Sequence, residues 1–222
     1  KLLGIYLLAR LMTALFKVQF GIRLSLMTIG ALSIITAVMM ALVQHNARRL
    51  LGYHAVSQVG YMVLGICSGS LLAFAGALFH LVNNVIFKTG LFLSLGSVEK
   101  KTKTSELGEM GGLGRLMPLT FLFTLIAALS ISGIPPFNGF FSKWMIYQGL
   151  AQRASVIRPG FQIWFLVCLI LAAFGSALTL ASFLKFMHAI FLGRAKKKFE
   201  AVKEAPFNQL LATGGLALGC IV

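Results

Sequence analysis

Apolar runs long enough, or nearly long enough, to cross a membrane recur along this chain and limit its fold more than any other feature. A crossing helix needs about 20 residues, within a range of about 17 to 25. The sequence therefore predicts an all-α, polytopic transmembrane bundle in one domain over residues 1–222. Its spans are expected at about 2–16, 24–43, 52–67, 71–98, 117–152, 161–184 and 210–222. Because the first and last spans are short, we expect a fragment of a longer protein.

Charged residues lie almost entirely between these spans. The chain is 58% hydrophobic and has 20 basic residues but only five acidic ones. The acidic residues fall in two connecting loops, at Glu99, Glu106, Glu109, Glu200 and Glu204. No predicted span therefore carries a carboxylate. The net charge of +15 comes mostly from short basic loops, which membrane topology explains, so it does not predict nucleic-acid binding.

The span over 117–152 contains a sequence that breaks helices, Gly133-Ile134-Pro135-Pro136. Proline lacks an N–H, clashes with the preceding turn, and moves the residue before it out of helical conformation. Carbonyl groups freed in this way are tolerated at membrane depth only when they are buried in protein or face water. We therefore expect one discontinuous helix, broken at 134–136, at the edge of an internal cavity.

The charges of the loops favour a single crossing by this broken helix. Two crossings would divide the loop charges evenly, whereas one crossing places 12 basic residues on one side and four on the other. The 12 are Arg48, Arg49, Lys100, Lys101, Lys103, Arg115, Lys185, Arg194, Lys196, Lys197, Lys198 and Lys203; the four are Lys17, Arg23, Arg153 and Arg158. Because cytoplasmic loops carry the excess, we expect a multi-pass protein of the cell (inner) membrane with the loop 196–198 in the cytoplasm.

Two lysines lie inside the apolar segments. Lys88 is far from both ends of the run 71–98, and Lys143 follows the proline break. A charged side chain near the centre of a bilayer costs about 2.5 to 3.5 kcal/mol, and such residues often mark ion paths or proton relays. Burial disfavours the charged form of an amine, so a buried lysine can release and regain a proton. Both lysines are therefore candidate relay residues.

Further polar residues extend this candidate relay. His80, Asn84 and Lys88 are four residues apart, so they form a stripe along one helix, which Asn83 widens. His80 is the second relay candidate because histidine titrates near neutral pH. Around the break, Ser132, Ser142 and Asn138 are expected to order bridging water. Alternatively, Asn83 and Asn84 serve only as hydrogen-bonding contacts between helices.

The sequence gives little support for a metal or nucleotide site. His45, His54 and His80 lie in different segments without the spacing of a zinc site. The glycine-rich segment 106–115 lacks the order of a phosphate-binding loop. We therefore expect neither a metal nor a cofactor in this chain.

Three motifs together resemble the antiporter-like proton-pumping subunits of respiratory complex I. They are RRLLGYHAVSQVGY at 48–61, FHLVNNVIFK at 79–88 and GIPPFNGFFSK at 133–143. Energy-converting hydrogenases and multi-subunit sodium/proton antiporters contain similar subunits. The resemblance implies two inverted repeats of five helices, each with one discontinuous helix, of which this chain resembles the second. One departure is Asn84, where family members often carry a second histidine.

The resemblance also implies roles for particular residues. Lys88 matches the lysine on the helix preceding the broken one, and Lys143 matches the terminal lysine or glutamate on the broken helix. Lys1 lies within one residue of the central lysine that joins two half-channels. Gly133, Pro135 and Pro136 match the helix break. In the family, such residues form a row at the membrane midplane that water connects.

We therefore expect a proton-translocating subunit that has no redox chemistry of its own. Its partners would be other membrane subunits of a complex I-like or hydrogenase-like assembly, which carry the electron transfer. The main alternative is a sodium/proton antiporter subunit without redox coupling, because Ser132, Ser142 and Asn138 offer oxygen ligands. Quinone chemistry near His45 and His54, and a structural spacer with an inactive channel, are two further alternatives.

Overall fold

The computed structural model describes residues 2–16, 18–194 and 202–221, and these form a bundle of helices. The α-helices are α1 Leu2–Arg10, α2 Phe20–Leu42, α3 Ala47–Cys67, α4 Leu71–Thr102, α5 Pro118–Ser132, α6 Asn138–Val156, α7 Pro159–Met187 and α8 Phe207–Leu218. One π-helical turn, Leu11–Leu15, follows α1 and another, His188–Leu192, follows α7. Lys1 lies outside the described residues.

Capping residues make two helices longer than their apolar runs. The Asn46 side chain accepts hydrogen bonds from the backbone N–H groups of Arg48 and Arg49, so α3 begins at residue 47 and not at 52. The C-terminal end of α4 extends past residue 98. Its last turn contains Lys100 and Lys101, whose positive charges are favourable at a helix C-terminus. Lys103, with φ of 58°, then ends this helix in a left-handed conformation. Hydrophobicity alone therefore underestimates both helices.

Within the part of the chain that the structure describes, four helical segments are long and apolar enough to cross a membrane. These are α2, α3, α4 and the segment Pro159–Leu192, while the apolar segments Leu2–Leu15 and Pro118–Ser132 are shorter. Large hydrophobic side chains such as Ile163 and Ile170 on α7 are exposed on the outside of the bundle. The all-α, polytopic transmembrane fold predicted from the sequence is thereby confirmed.

The helices α5 and α6 lie end to end along α4. Gly90 of α4 faces Ala127 of α5, whereas Asn83, two turns earlier on α4, donates a hydrogen bond to the carbonyl of Asn138 in α6. Both α5 and α6 therefore run in the direction opposite to α4. The two helices form one discontinuous helix antiparallel to α4, as the proline motif predicted.

The end of α8 stabilises the break between α5 and α6. Gly133, with φ of 81°, terminates α5 in the left-handed conformation that glycine adopts readily. Asn138 then begins α6 and contacts both sides of the break, because its Oδ1 accepts from the Ser130 hydroxyl at 2.5 Å and its Nδ2 donates to the Gly219 carbonyl at 2.9 Å. Its backbone N–H donates to the carbonyl of Cys220. Asn138 therefore fixes the position of α6 relative to α5 and α8.

The loops between the helices define two ends of the bundle. At one end, which we call the basic-loop end, Lys185 of α7 donates to the carbonyl of Leu42, the last residue of α2, and to the carbonyl of Gln44. There too Glu204 accepts from the backbone of Leu119 and the hydroxyl of Thr120 at the start of α5. The opposite end contains the turns after α3 and α6.

Candidate functional site

Lys143 of α6 is buried beside the helix break. Its side chain is 2% exposed, and its Nζ donates to the carbonyl of Ile131 at 2.8 Å and to the hydroxyl of Ser176 in α7 at 2.9 Å. The carbonyl of Ser132 lies 3.4 Å away as a third acceptor. The break thus supplies carbonyl groups that can solvate a buried ammonium group, which needs such acceptors when no carboxylate is near.

Two tyrosines complete the surroundings of Lys143. Nζ lies 4.7 Å from the ring centre of Tyr61 in α3, a distance at which a cation is attracted to an aromatic ring. The hydroxyl of Tyr147 is 2.8 Å from that of Ser176, and the hydroxyl of Tyr61 is 3.1 Å from it. Tyr147 therefore belongs to this cluster.

His80 of α4 is fully buried and hydrogen-bonded at both ring nitrogens. Its Nε2 is 3.0 Å from Oε1 of Gln58 in α3, and its Nδ1 is 2.8 Å from the hydroxyl of Ser142 in α6. The Ser142 hydroxyl also lies 3.1 Å from the carbonyl of Gly139. The structure therefore places His80 in contact with Ser142, the residue that precedes Lys143 in α6.

The contacts of His80 suit both of its protonation states. With Oε1 of Gln58 as an acceptor, Nε2 keeps its hydrogen. In the neutral ring, Nδ1 accepts from the Ser142 hydroxyl. In the charged ring, Nδ1 donates to Ser142, whose own hydrogen can turn to the carbonyl of Gly139. Rotation of one hydroxyl hydrogen therefore accommodates the gain or loss of a proton.

Lys88 lies on the same helix, two turns beyond His80. Its Nζ donates to the carbonyl of Leu51 in α3 at 2.5 Å, and its side chain is 8% exposed. Together with Asn84 and Leu2 it lines an open crevice of about 430 Å³ between α4 and α1. The eight residues between His80 and Lys88 correspond to roughly 12 Å along a helix, which is too far for direct proton transfer.

The other predicted polar residues have different contacts. Asn83 donates to the carbonyl of Asn138, so it joins α4 to α6. Ser132 donates its hydroxyl to the carbonyl of Ala128 in its own helix, and only its backbone carbonyl faces Lys143. Asn84 has a buried Oδ1 without a hydrogen-bond partner among the described residues. Asn84 lies between His80 and Lys88 on α4, and its Oδ1 is therefore available to accept a hydrogen bond.

Polar residues of α3 form a stripe that the sequence reasoning did not use. His54, Ser57, Gln58 and Tyr61 follow the helical spacing of one face and are all fully buried. His54 Nε2 is 2.8 Å from the hydroxyl of Ser182 in α7. Within the described residues, His54 Nδ1, Ser57 Oγ and Gln58 Nε2 are buried without a hydrogen-bond partner. Such atoms bind ordered water in many proteins.

The described carboxylates with assigned contacts lie away from this cluster. Glu99 accepts two hydrogen bonds from Nε and Nη2 of Arg48 at the basic-loop end, and a third from Ser105. Glu106 accepts from Asn46, and Glu204 from Thr120, at the same end. The ionisable side chains described around the break are those of Lys143, His80, Tyr61 and Tyr147.

Comparisons with known proteins agree with the three motifs. The sequence profile of the family described as NADH:quinone oxidoreductase/Mrp antiporter, TM matches residues 1–179. The chain is 34% identical over 207 residues to the Na⁺/H⁺ antiporter subunit A1 of Staphylococcus saprophyticus, covering 87% of this chain and 26% of that protein. It is 31% identical over 208 residues to hydrogenase-4 component B of Escherichia coli K12, covering 88% of this chain and 31% of that protein.

A solved structure shows the same fold. A chain of the membrane-bound sulfane sulfur reductase, an archaeal respiratory membrane complex, superposes with a TM-score of 0.85 at 30% identity, over 99% of this chain and 36% of that one. The chain thus spans about a quarter to a third of the length of these relatives. Because the profile covers most of its length, the chain belongs to the NADH:quinone oxidoreductase/Mrp antiporter transmembrane family and is an integral membrane protein.

Proposed function

We propose that this chain moves protons across the membrane as part of a subunit of a multi-subunit complex, through Lys88, His80, Lys143 and water. Electron transfer in other subunits would drive the movement. The observation that carries the proposal is the arrangement at the break, where the described acceptors of buried Lys143 are neutral and its neighbour Ser142 contacts buried His80. Titratable groups held in this way can change charge without a bound counter-ion.

Transfer at Lys143 would use the hydroxyl groups around it. Ser176 accepts from Nζ and is within hydrogen-bonding distance of Tyr147 and Tyr61, so a proton leaving Lys143 meets a chain of three hydroxyls between α3, α6 and α7. The described groups that accept from the buried ammonium are uncharged, so a change of charge nearby alters its protonation strongly. A change of charge in a neighbouring subunit during electron transfer would thus cause Lys143 to release or bind a proton.

Transfer between His80 and Lys88 requires water, since the two lie roughly 12 Å apart along α4. Asn84 lies between them on the same face and has an unpaired carbonyl oxygen. Among the described residues, Nε2 of Gln58 also lacks a partner, and Gln58 faces this helix because its Oε1 contacts His80. Water bound by these groups would complete a path at little energetic cost.

The test replaces each buried lysine in the full-length protein within its native complex, reconstituted in vesicles. Lys143→Met and Lys88→Met remove the titratable amine and keep the length of the side chain. Lys100→Met is the matched control, because Lys100 is an exposed lysine at the end of the same helix α4. We expect each buried variant to lose proton transport per electron transferred while the control retains it. Transport equal to the control in both variants would overturn the relay.

A second candidate function is sodium/proton exchange without redox coupling. The carbonyl oxygens of Ile131 and Ser132 and the hydroxyl of Ser176 surround the Lys143 ammonium, and oxygen ligands of this kind also bind sodium. Sodium could enter this cluster when Lys143 is neutral. Sodium-dependent proton movement in vesicles that lack an electron donor would favour exchange, whereas movement that requires the donor would favour the redox-coupled pump.

A further inference from the structure

Two arginines meet at the end of the bundle opposite the basic loops. Arg23 of α2 and Arg153 of α6 line a cleft of about 240 Å³ that also contains Gly69, in the turn between α3 and α4. Nη1 of Arg23 and Nε of Arg153 lie 3.5 and 3.8 Å from the point where a Cβ on Gly69 would stand. Two positive charges from separate helices therefore converge on one position.

The described residues provide hydrogen-bond acceptors for only some of the N–H groups of these two guanidinium groups. Arg23 donates from Nη2 to the carbonyl of Met12, but the buried Nε of Arg153 has no hydrogen-bond partner among the described residues. Of the acidic residues, Glu99, Glu106 and Glu204 make their contacts at the basic-loop end. Like charges brought together repel each other, and an unpaired buried N–H group is costly. The arrangement calls for an anion.

The shape and the walls of the cleft indicate the chemistry of that anion. Gly69 has φ of 73° and no side chain, so the space between the two arginines stays open. Apolar side chains, including Phe20 and Phe165, form the other walls. Arginine matches the paired oxygens of a phosphate group, and basic pockets between transmembrane helices bind lipid headgroups.

We propose that the cleft formed by Arg23, Arg153 and Gly69 binds a phosphate group, supplied by an anionic phospholipid. The phosphate would accept from Nη1 of Arg23 and Nε of Arg153, and the acyl chains would lie against the apolar walls. Helix α2 begins at this cleft without a side-chain cap, so its first N–H groups add positive potential. Bound lipid would connect α2 to α6, the helix that carries Lys143. The inference is independent of the proton relay.

The experiment compares lipid binding by the full-length protein in its purified complex, with phosphatidylglycerol as the probe. Arg23→Gln and Arg153→Gln each remove one charged donor, and Arg49→Gln is the control because Arg49 is an exposed arginine at the basic-loop end. We expect the phosphatidylglycerol concentration for half-maximal thermal stabilisation to rise about tenfold for each cleft variant. The control should match the wild type. Mass spectrometry should show one retained phospholipid fewer in the double variant.

Two further measurements identify where the bound phosphate group comes from and control for misfolding of the variants. Stabilisation of delipidated protein by inorganic phosphate, absent in the double variant, would support the phosphate site with a free anion as its source. Arg153→Lys keeps the charge but loses the planar donor group, so it should fold and bind phosphatidylglycerol with intermediate affinity. A double variant that keeps the same lipid and the same response to both probes as the wild type would overturn the proposal.

Discussion

A single methyl group placed at Gly76 should uncouple His80 from Ser142 without changing any titratable residue. Gly76 lies on α4 one turn before His80, where α6 packs closely against it. A Cβ at this position would stand 2.7 Å from the Cβ of Met145 and 3.1 Å from the carbonyl oxygen of Ser142. Met145 cannot avoid the contact by rotating its side chain, because its Cβ is fixed to the backbone of α6. The helices must therefore separate.

The size of this separation follows from the contact distances. Carbon atoms in ordinary contact lie about 3.5 to 4.0 Å apart, so α6 must move by roughly 1 Å. The bond between His80 Nδ1 and the Ser142 hydroxyl is now 2.8 Å long, and a shift of that size would carry it beyond hydrogen-bonding distance. A hydrogen bond to a group that becomes charged is worth about 1.5 to 3 kcal/mol, which corresponds to a roughly 10- to 100-fold loss of rate.

The assay is proton transport by the Gly76→Ala variant of the full-length protein in reconstituted vesicles, with thermal denaturation measured in parallel. Gly96→Ala is the matched control, because Gly96 lies on the same helix with nothing within 4 Å of a Cβ. Alanine favours helix by about 0.5 to 1 kcal/mol over glycine, so the control should be as stable as the wild type or more so. Overpacking at Gly76 should cost about 1 to 3 kcal/mol. Equal transport by the two variants would refute the reasoning.

Two further substitutions test the contacts that hold the helices in place. Asn138→Ala leaves the Ser130 hydroxyl and the Gly219 carbonyl without partners, so we expect a loss of about 1 to 3 kcal/mol per orphaned group, seen as a lower denaturation temperature and faster hydrogen exchange in α8. Unchanged exchange in α8 would contradict this role. Lys185→Met removes the donor to two carbonyls at the end of α2 and should destabilise the protein by about 1 to 2 kcal/mol, whereas Lys185→Arg should restore most of the stability. Equal denaturation temperatures for the two Lys185 variants would show that the contact is unimportant.

The sequence predicted the helix break and the buried cations for physical reasons that act locally. Two consecutive prolines cannot continue a helix, and a lysine in a long apolar run has nowhere polar to go except the protein interior. The spacing of His80, Asn84 and Lys88 likewise fixes a shared helix face without knowledge of the partners. These predictions needed only the residues themselves and the period of the helix.

The partners of these groups could not be predicted in the same way. Ser176 contacts Lys143 from 33 positions away, and small polar residues in an apolar helix give no sign of which neighbour they meet. The carbonyl of Gly219 reaches the break from 81 positions away. The stripe from His54 to Tyr61 was visible as a period, because its members are three and four residues apart. This spacing indicates a polar face of α3, which a search for apolar segments does not detect.

The uninterrupted course of α4 has a consequence for the timing of transport. His80 and Lys88 lie on one continuous helix, so the spacing of their backbones is set by α4 itself. In the proposed relay, the rate of proton transfer between them would then depend on how long water stays bound beside Asn84. On its other side His80 contacts Ser142 of α6, the second half of the discontinuous helix, so in the proposed relay a small movement of α6 would make or break this hydrogen bond.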